Sequence, residues 1–143
     1  MTERTLEHLP FHIPIREEAD VVMARKRARE LARQEGFTDG GVGAIVTAVS
    51  EVARNIVVHA GEGEVLVSVT NEMGRRGILV VARDDEPGIA DVALAMRDGY
   101  STVNGLGLGL PSARRLMDEF TVVSAVGRGT TVTMKKWAHG ADE

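Results

Sequence analysis

Apolar positions along this chain change their period several times, and each change marks a new element. Leu9, Phe11, Ile13 and Ile15 alternate with other residues, the rhythm of a strand buried on one face. Pro10 and Pro14 cannot donate to a ladder, which places that strand at a sheet edge. From Glu17 to about Glu35 the residues favour helix, and Gly36 supplies a stop. Thr38 or Asp39 can cap a second helix running to about His59. Its Val42, Ile45, Val46, Val49, Val52, Ala53, Ile56 and Val57 form a broad apolar face.

The period then shortens. Val65, Val67 and Val69 alternate, Asn71 to Gly77 holds turn formers, and Ile78 to Ala82 is continuously apolar, which reads as a hairpin or two neighbouring strands. A loop over 84–88, a short helix over 91–97 and an irregular stretch over 99–107 lead to a third helix from about Gly109 to Glu119. Strands near 121–126 and 130–136 close the chain, joined by a tight Gly127-Arg128-Gly129 turn. A doubly wound parallel sheet needs a helix between most strand pairs. Three helices and five strands with two hairpins instead predict an α/β sandwich.

Composition narrows the function classes. A chain of 143 residues with 43% hydrophobic content suits one folded domain, with no repeat or linker to divide it. Continuous apolar runs such as Ile78 to Ala82 are too short to span a bilayer, and no basic-then-apolar leader opens the sequence, so neither membrane nor export is expected. The net charge of −4 and the 3% aromatic content give no general attraction to nucleic acid and few stacking platforms. Without cysteine there is no disulfide or thiolate chemistry, and a reducing cytoplasm is the simple expectation. His8, His12, His59 and His139 show no ligand-like clustering. His59 reads as a structural cation at a helix end, and Trp137 as a cover for the sheet edge.

Three clusters carry candidate chemistry. Glu51 and Asn55, four apart on the second helix, share a face one turn apart. A carboxylate and a carboxamide there suit a base and a hard-cation ligand, although a solvated helix stripe has the same spacing. Asp84-Asp85-Glu86-Pro87-Gly88 follows the apolar strand, where a carboxylate can accept from an amino group such as that of adenine and a glycine allows close backbone approach. The same residues also make an ordinary acidic turn. Gly105-Leu106-Gly107-Leu108-Gly109-Leu110 leads into a helix and leaves amides open toward phosphate. It is neither a Walker loop nor a dinucleotide fingerprint, because no GxxxxGK[ST] is present and residue 110 is leucine. A hinge without a ligand is the other reading.

Taken in order, ExxxN on a helix, a strand ending in Asp, a glycine-rich loop entering a helix, and Gly129-Thr130 resemble the GHKL ATPase/kinase superfamily over roughly residues 10 to 136. The short stretch between Gly88 and Gly105 looks like that of the small anti-sigma-factor serine/threonine kinases. Within them, "IPIREEADVVMARKRARELARQEGF" and "AVSEVARNIVVHA" look most like the stressosome switch kinases. The resemblance implies a Bergerat fold, with a mixed, largely antiparallel sheet and three main helices on one face, as one domain over 1–143. It implies Mg-ATP as phosphoryl donor, with Glu51 as general base and Asn55 as the Mg²⁺ ligand. Asp84 and Gly88 would face adenine, with Thr130 supporting that end. Gly105, Leu106, Gly107, Leu108 and Gly109 would form the phosphate loop. The implied partners are STAS-domain antagonist or scaffold proteins as substrates and a PP2C-type phosphatase. Arg25, Arg29 and Arg33 lie one turn apart on the first helix and read either as a solvated stripe or as a flank that docks an acidic partner, and the resemblance points to Arg25 first. Glu86 stands where the family's DxGxG pattern has its first glycine, which favours a nucleotide-binding switch without kinase activity as one alternative. A factor that binds a sigma subunit directly is the other.

Overall fold

The computed structural model describes residues 11–84, 110–125 and 129–138. Strand β1 (Phe11–Ile15) is followed by helices α1 (Glu18–Gln34) and α2 (Asp39–Asn55), a π-helical turn (Ile56–Ala60), β2 (Gly63–Glu72), β3 (Arg75–Asp84), helix α3 (Leu110–Leu116), β4 (Glu119–Ala125) and β5 (Gly129–Trp137). The five strands form one sheet in the order β1-β2-β3-β5-β4, and each pairing is antiparallel. The expected mixed character is therefore absent among the described strands. The predicted short helix over 91–97 lies outside the described residues, as does Leu9.

Local chemistry explains the ends of the helices. The Asp20 carboxylate accepts the Arg16 and Glu17 amides at 2.9 and 3.1 Å and so starts α1. Gly36 ends it at φ +84°, a backbone conformation that a side chain would strain. Thr38 is the cap of α2, its Oγ1 accepting the Gly41 amide at 3.1 Å. Beyond Asn55 the backbone widens, and the Gly61 amide reaches back five residues to the Ile56 carbonyl at 2.8 Å.

Helix α2 is the core of the molecule. Val42, Ile45, Val46, Val49, Val52, Ala53 and Ile56 are buried with Val21, Ala24, Ala28 and Leu31 of α1 on one side. Val65, Val67, Ile78, Val80, Val132 and Met134 meet them from the sheet. Each fully buried Val or Ile contributes about 1.5–3 kcal/mol, so this contact dominates stability. Residues 39–60 are long and apolar enough to cross a bilayer, with a window of mean hydropathy 1.4, but 56% of that window is buried inside the fold. It is a core helix.

Three expectations need correction. The β2–β3 turn is not seven residues long: the strands pair as far as Glu72 and Arg75, leaving a two-residue turn with Met73 at φ +51° and Gly74 at +79°. The third helix ends at Leu116, and Glu119 pairs with Lys135 in β4 because the Asp118 carboxylate accepts the Trp137 amide at 2.8 Å. Trp137 covers no sheet edge. It lies on the face away from the helices, on a strand flanked by β3 and β4, opposite Gly77. The Arg75 guanidinium stacks 4.1 Å from its ring centre, and its indole N–H donates to Glu119 at 3.0 Å.

Gly77 is what admits that ring. A Cβ there would stand 2.7 Å from the indole and 2.6 Å from the Lys136 carbonyl. Gly77→Ala is expected to destabilise the protein by about 1–3 kcal/mol, read from the midpoint of urea unfolding.

Candidate functional site

Two of the sequence clusters meet at one end of the sheet. Glu51 and Asn55 occupy the last two turns of α2, both half-buried at the border of its apolar face. Asn55 Oδ1 is shielded from solvent. Ile56, the next residue, points into the core and packs beside Gly63, its Cγ2 only 2.9 Å from where a Cβ of residue 63 would stand. Gly63 is the register partner of Asp84. The helix end that carries Asn55 therefore sits over the sheet end that carries Asp84.

A row of paired residues crosses the sheet there: Ile15, Gly63, Asp84, Thr130 and Ser124, each opposite the next. Strand alternation turns them to the helix side, in step with buried Val65, Ala82 and Val132. Asp84 Oδ1 accepts the Thr130 backbone amide at 3.3 Å. The Thr130 hydroxyl lies 2.8 Å from Ser124 Oγ, and Ser124 donates to the Gly129 carbonyl at 3.0 Å. Asp84 is thus a carboxylate braced at a strand terminus, with hydroxyl groups beside it.

Gly63 and Ser124 were not legible as site residues. Gly63 stands in Gly61-Glu62-Gly63-Glu64, which reads as a loop, and only the register shows its contact with Asp84. Any side chain at 63 would meet the Arg83 carbonyl at 2.3 Å and Asp84 Cβ at 3.1 Å. Nothing in the pattern around Ser124 marks it.

The remaining candidates divide. Gly88, Gly105, Leu106, Gly107, Leu108 and Gly109 lie outside the described residues, as does Glu86. On α1, Arg25 is half-buried with its Nε shielded and without an acceptor among the described residues, Arg29 is half-buried and Arg33 exposed. Val22, 55% exposed, and Lys26 share that flank. His59 corrects the expectation of a cation at the helix end. Its Nε2 is buried without a partner among the described residues, and burial lowers its pKa, so the ring is neutral at pH 7.

Comparison with known proteins identifies the family. Residues 14–136 match the histidine kinase-like ATPase domain family. The chain belongs to that family. It is 42% identical over 125 residues to the serine/threonine-protein kinase RsbT of Bacillus subtilis, covering 87% of this chain and 94% of that one. It is 30% identical over 124 residues to the anti-sigma F factor of Thermoanaerobacter sp., covering 84% and 86%. Two solved structures share the fold. The RsbU and RsbW domains of a Mycobacterium tuberculosis protein align at TM-score 0.60 and 21% identity, over 92% of this chain and 33% of that one. The SiaB–SiaC complex of Pseudomonas aeruginosa aligns at TM-score 0.55 and 16% identity, over 96% and 95%. The resemblance stated from the motifs is borne out, as is the Bergerat-type fold of three helices on one face of an open sheet.

Gly63→Ala is expected to push Asp84 out of place. With Asp84 as the adenine acceptor that the resemblance implies, nucleotide affinity should then fall about tenfold or more in a competition titration while the circular dichroism stays that of a folded protein.

Proposed function

We propose that this chain phosphorylates a STAS-domain protein on serine or threonine with Mg-ATP, within a cytoplasmic partner-switching module, and then engages a PP2C-type phosphatase. The class, a protein serine/threonine kinase that uses ATP, stands on the 42% identity to RsbT over most of both chains. The observation that carries the site reading is the placement of Asn55 and Asp84 at one end of the fold, linked through Ile56 and Gly63.

In this reading Asp84 accepts from the exocyclic amine of adenine, its carboxylate also accepting the Thr130 amide. Gly63 lets the Arg83 carbonyl, Ile56 and Asp84 close in around it, which a side chain would prevent. Gly88 and the loop of Gly105, Leu106, Gly107, Leu108 and Gly109 complete the nucleotide site. Asn55 offers a shielded carboxamide oxygen, a hard donor of the kind Mg²⁺ takes singly or in pairs alongside phosphate oxygens. The bound ion would neutralise charge on the phosphates. Glu51, one turn earlier, accepts the proton of the incoming hydroxyl as its oxygen bonds to the γ-phosphorus and the bond to ADP breaks. Positioning and charge neutralisation supply most of such a rate enhancement, so a half-buried base suffices.

The α1 flank suits the protein substrate. Arg25, Arg29, Arg33 and Lys26 make a cationic stripe on a chain whose net charge is −4, and Val22 adds an apolar contact. An acidic surface that presents its hydroxyl would dock there. A second reading, direct binding of a sigma subunit, is favoured by the anti-sigma F factor relatives.

The deciding experiment incubates the protein with Mg-ATP and STAS-domain candidates, with mass spectrometry of the partner. Glu51→Ala is expected to keep ATP affinity and lose phosphate transfer; normal transfer would remove Glu51 as the base. Asp84→Asn is expected to weaken ATP binding by about 1–3 kcal/mol through loss of a buried acceptor, measured by calorimetry. Capture of a sigma subunit without transfer to any STAS protein would select the second reading.

A further inference from the structure

Glu51 has a neighbour one turn away on its own helix in each direction. Asn55, toward the C-terminus, is half-buried, and Thr47, toward the N-terminus, is exposed. Side chains on a helix lean back over the preceding turn, so the Glu51 carboxylate is carried toward Thr47. Ser50, on the buried side of α2, donates its hydroxyl to the Val46 carbonyl at 2.9 Å. The Thr47 hydroxyl makes no such bond among the described residues and is open to solvent.

The neighbouring helix brings charge to the same level. Glu18 at the start of α1 pairs with Arg54 near the end of α2 at 3.2 Å, and the two helices run antiparallel from that contact. Both rise about 1.5 Å per residue, so seven residues on from it Arg25 stands level with Thr47. One turn further, Arg29 stands level with Gly43, which has no side chain to cover it. Arg27, on another face of α1, is paired with Glu30 at 3.2 Å, whereas Arg25 and Arg29 have no carboxylate partner among the described residues.

We propose that Thr47 is a specificity-determining contact for the protein substrate: the acceptor hydroxyl reaches Glu51 from the Thr47 side, and a carboxylate on the same segment is received between the Thr47 hydroxyl and the Arg25 guanidinium. The proposal rests on the reading that Glu51 is the base and Asn55 the ligand of the Mg-bound phosphates. Attacking and leaving oxygens stand roughly in line in phosphoryl transfer. With ADP leaving on the Asn55 side, the acceptor enters from the other, its proton passing to Glu51. A carboxylate accepts from a hydroxyl and a guanidinium together, and an arginine without a partner of its own has its donors free for it. The spacing becomes a recognition rule. The turn between Thr47 and Glu51 is about 6 Å long, so the acid lies about that far from the hydroxyl that is phosphorylated.

The test follows phosphate transfer to the STAS-domain partner by steady-state kinetics, with KM for the partner and KM for ATP determined separately. Thr47→Val removes the hydroxyl at nearly constant volume and is expected to raise the partner's KM about three- to tenfold, with KM for ATP unchanged. Thr47→Ser keeps the hydroxyl and is expected to restore the wild-type value. Thr47→Glu sets a like charge against the incoming acid and is expected to raise the partner's KM about tenfold or more. A partner KM that stays at the wild-type value in the Val and Glu variants, with circular dichroism showing both folded, overturns the proposal. Loss of transfer in Glu51→Ala alongside that result leaves the base standing. Normal transfer by Glu51→Ala, or a wild-type protein that phosphorylates no STAS partner, overturns the underlying reading and this inference with it.

Discussion

Burial of α2 between α1 and the sheet is the contact from which the rest of this structure follows. Val42, Ile45, Val46, Val49, Val52 and Ala53 are at most 5% exposed, so the rotation of the helix about its axis is fixed by apolar area alone. Once that rotation is set, Glu51 and Asn55 have one place to go, the border between core and solvent. Ile56 then seats the helix end against Gly63, and the register of β2 with β3 brings Asp84 beneath it. The polar groups proposed to carry the chemistry are held by residues that have no chemistry of their own.

The sheet contributes in a different way. Its helix side is apolar along most of its length and turns polar at one end, where Asp84, Thr130 and Ser124 stand across three strands. Because neighbouring strands lie about 4.8 Å apart, such a row spaces hydrogen-bonding groups at intervals that a planar ring can span. Rigidity comes from the ladder, and the change from apolar to polar from the few side chains at its end.

Much of this was legible in the residues. The caps and stops at Thr38 and Gly36, the apolar face of α2 and the edge position of β1 are local or periodic signals, and they appear in the fold as read. The motif order led to the family that the comparisons show. What the pattern could not reveal depends on pairing. Gly63 and Gly77 look like loop and turn glycines until the register sets one beside Asp84 and the other under Trp137. The end of the expected third helix gives way to the start of β4 at Glu119, next to Asp118, which binds a strand 19 residues further on. His59 looked like a cation complementing a helix end, and burial, which disfavours its charged form, became visible only in the fold.

The packing of Trp137 has an optical consequence. It is the chain's one tryptophan, and it pairs with Gly77, seven residues along β3 from Asp84. At about 3.3 Å per residue the two positions stand roughly 23 Å apart. Enclosed by Arg75, Gly77 and Glu119 at the end of the sheet away from Asp84, the indole is a fluorophore tied to the integrity of the sheet and remote from whatever occupies the other end. Its emission separates loss of fold from loss of ligand, without an added label.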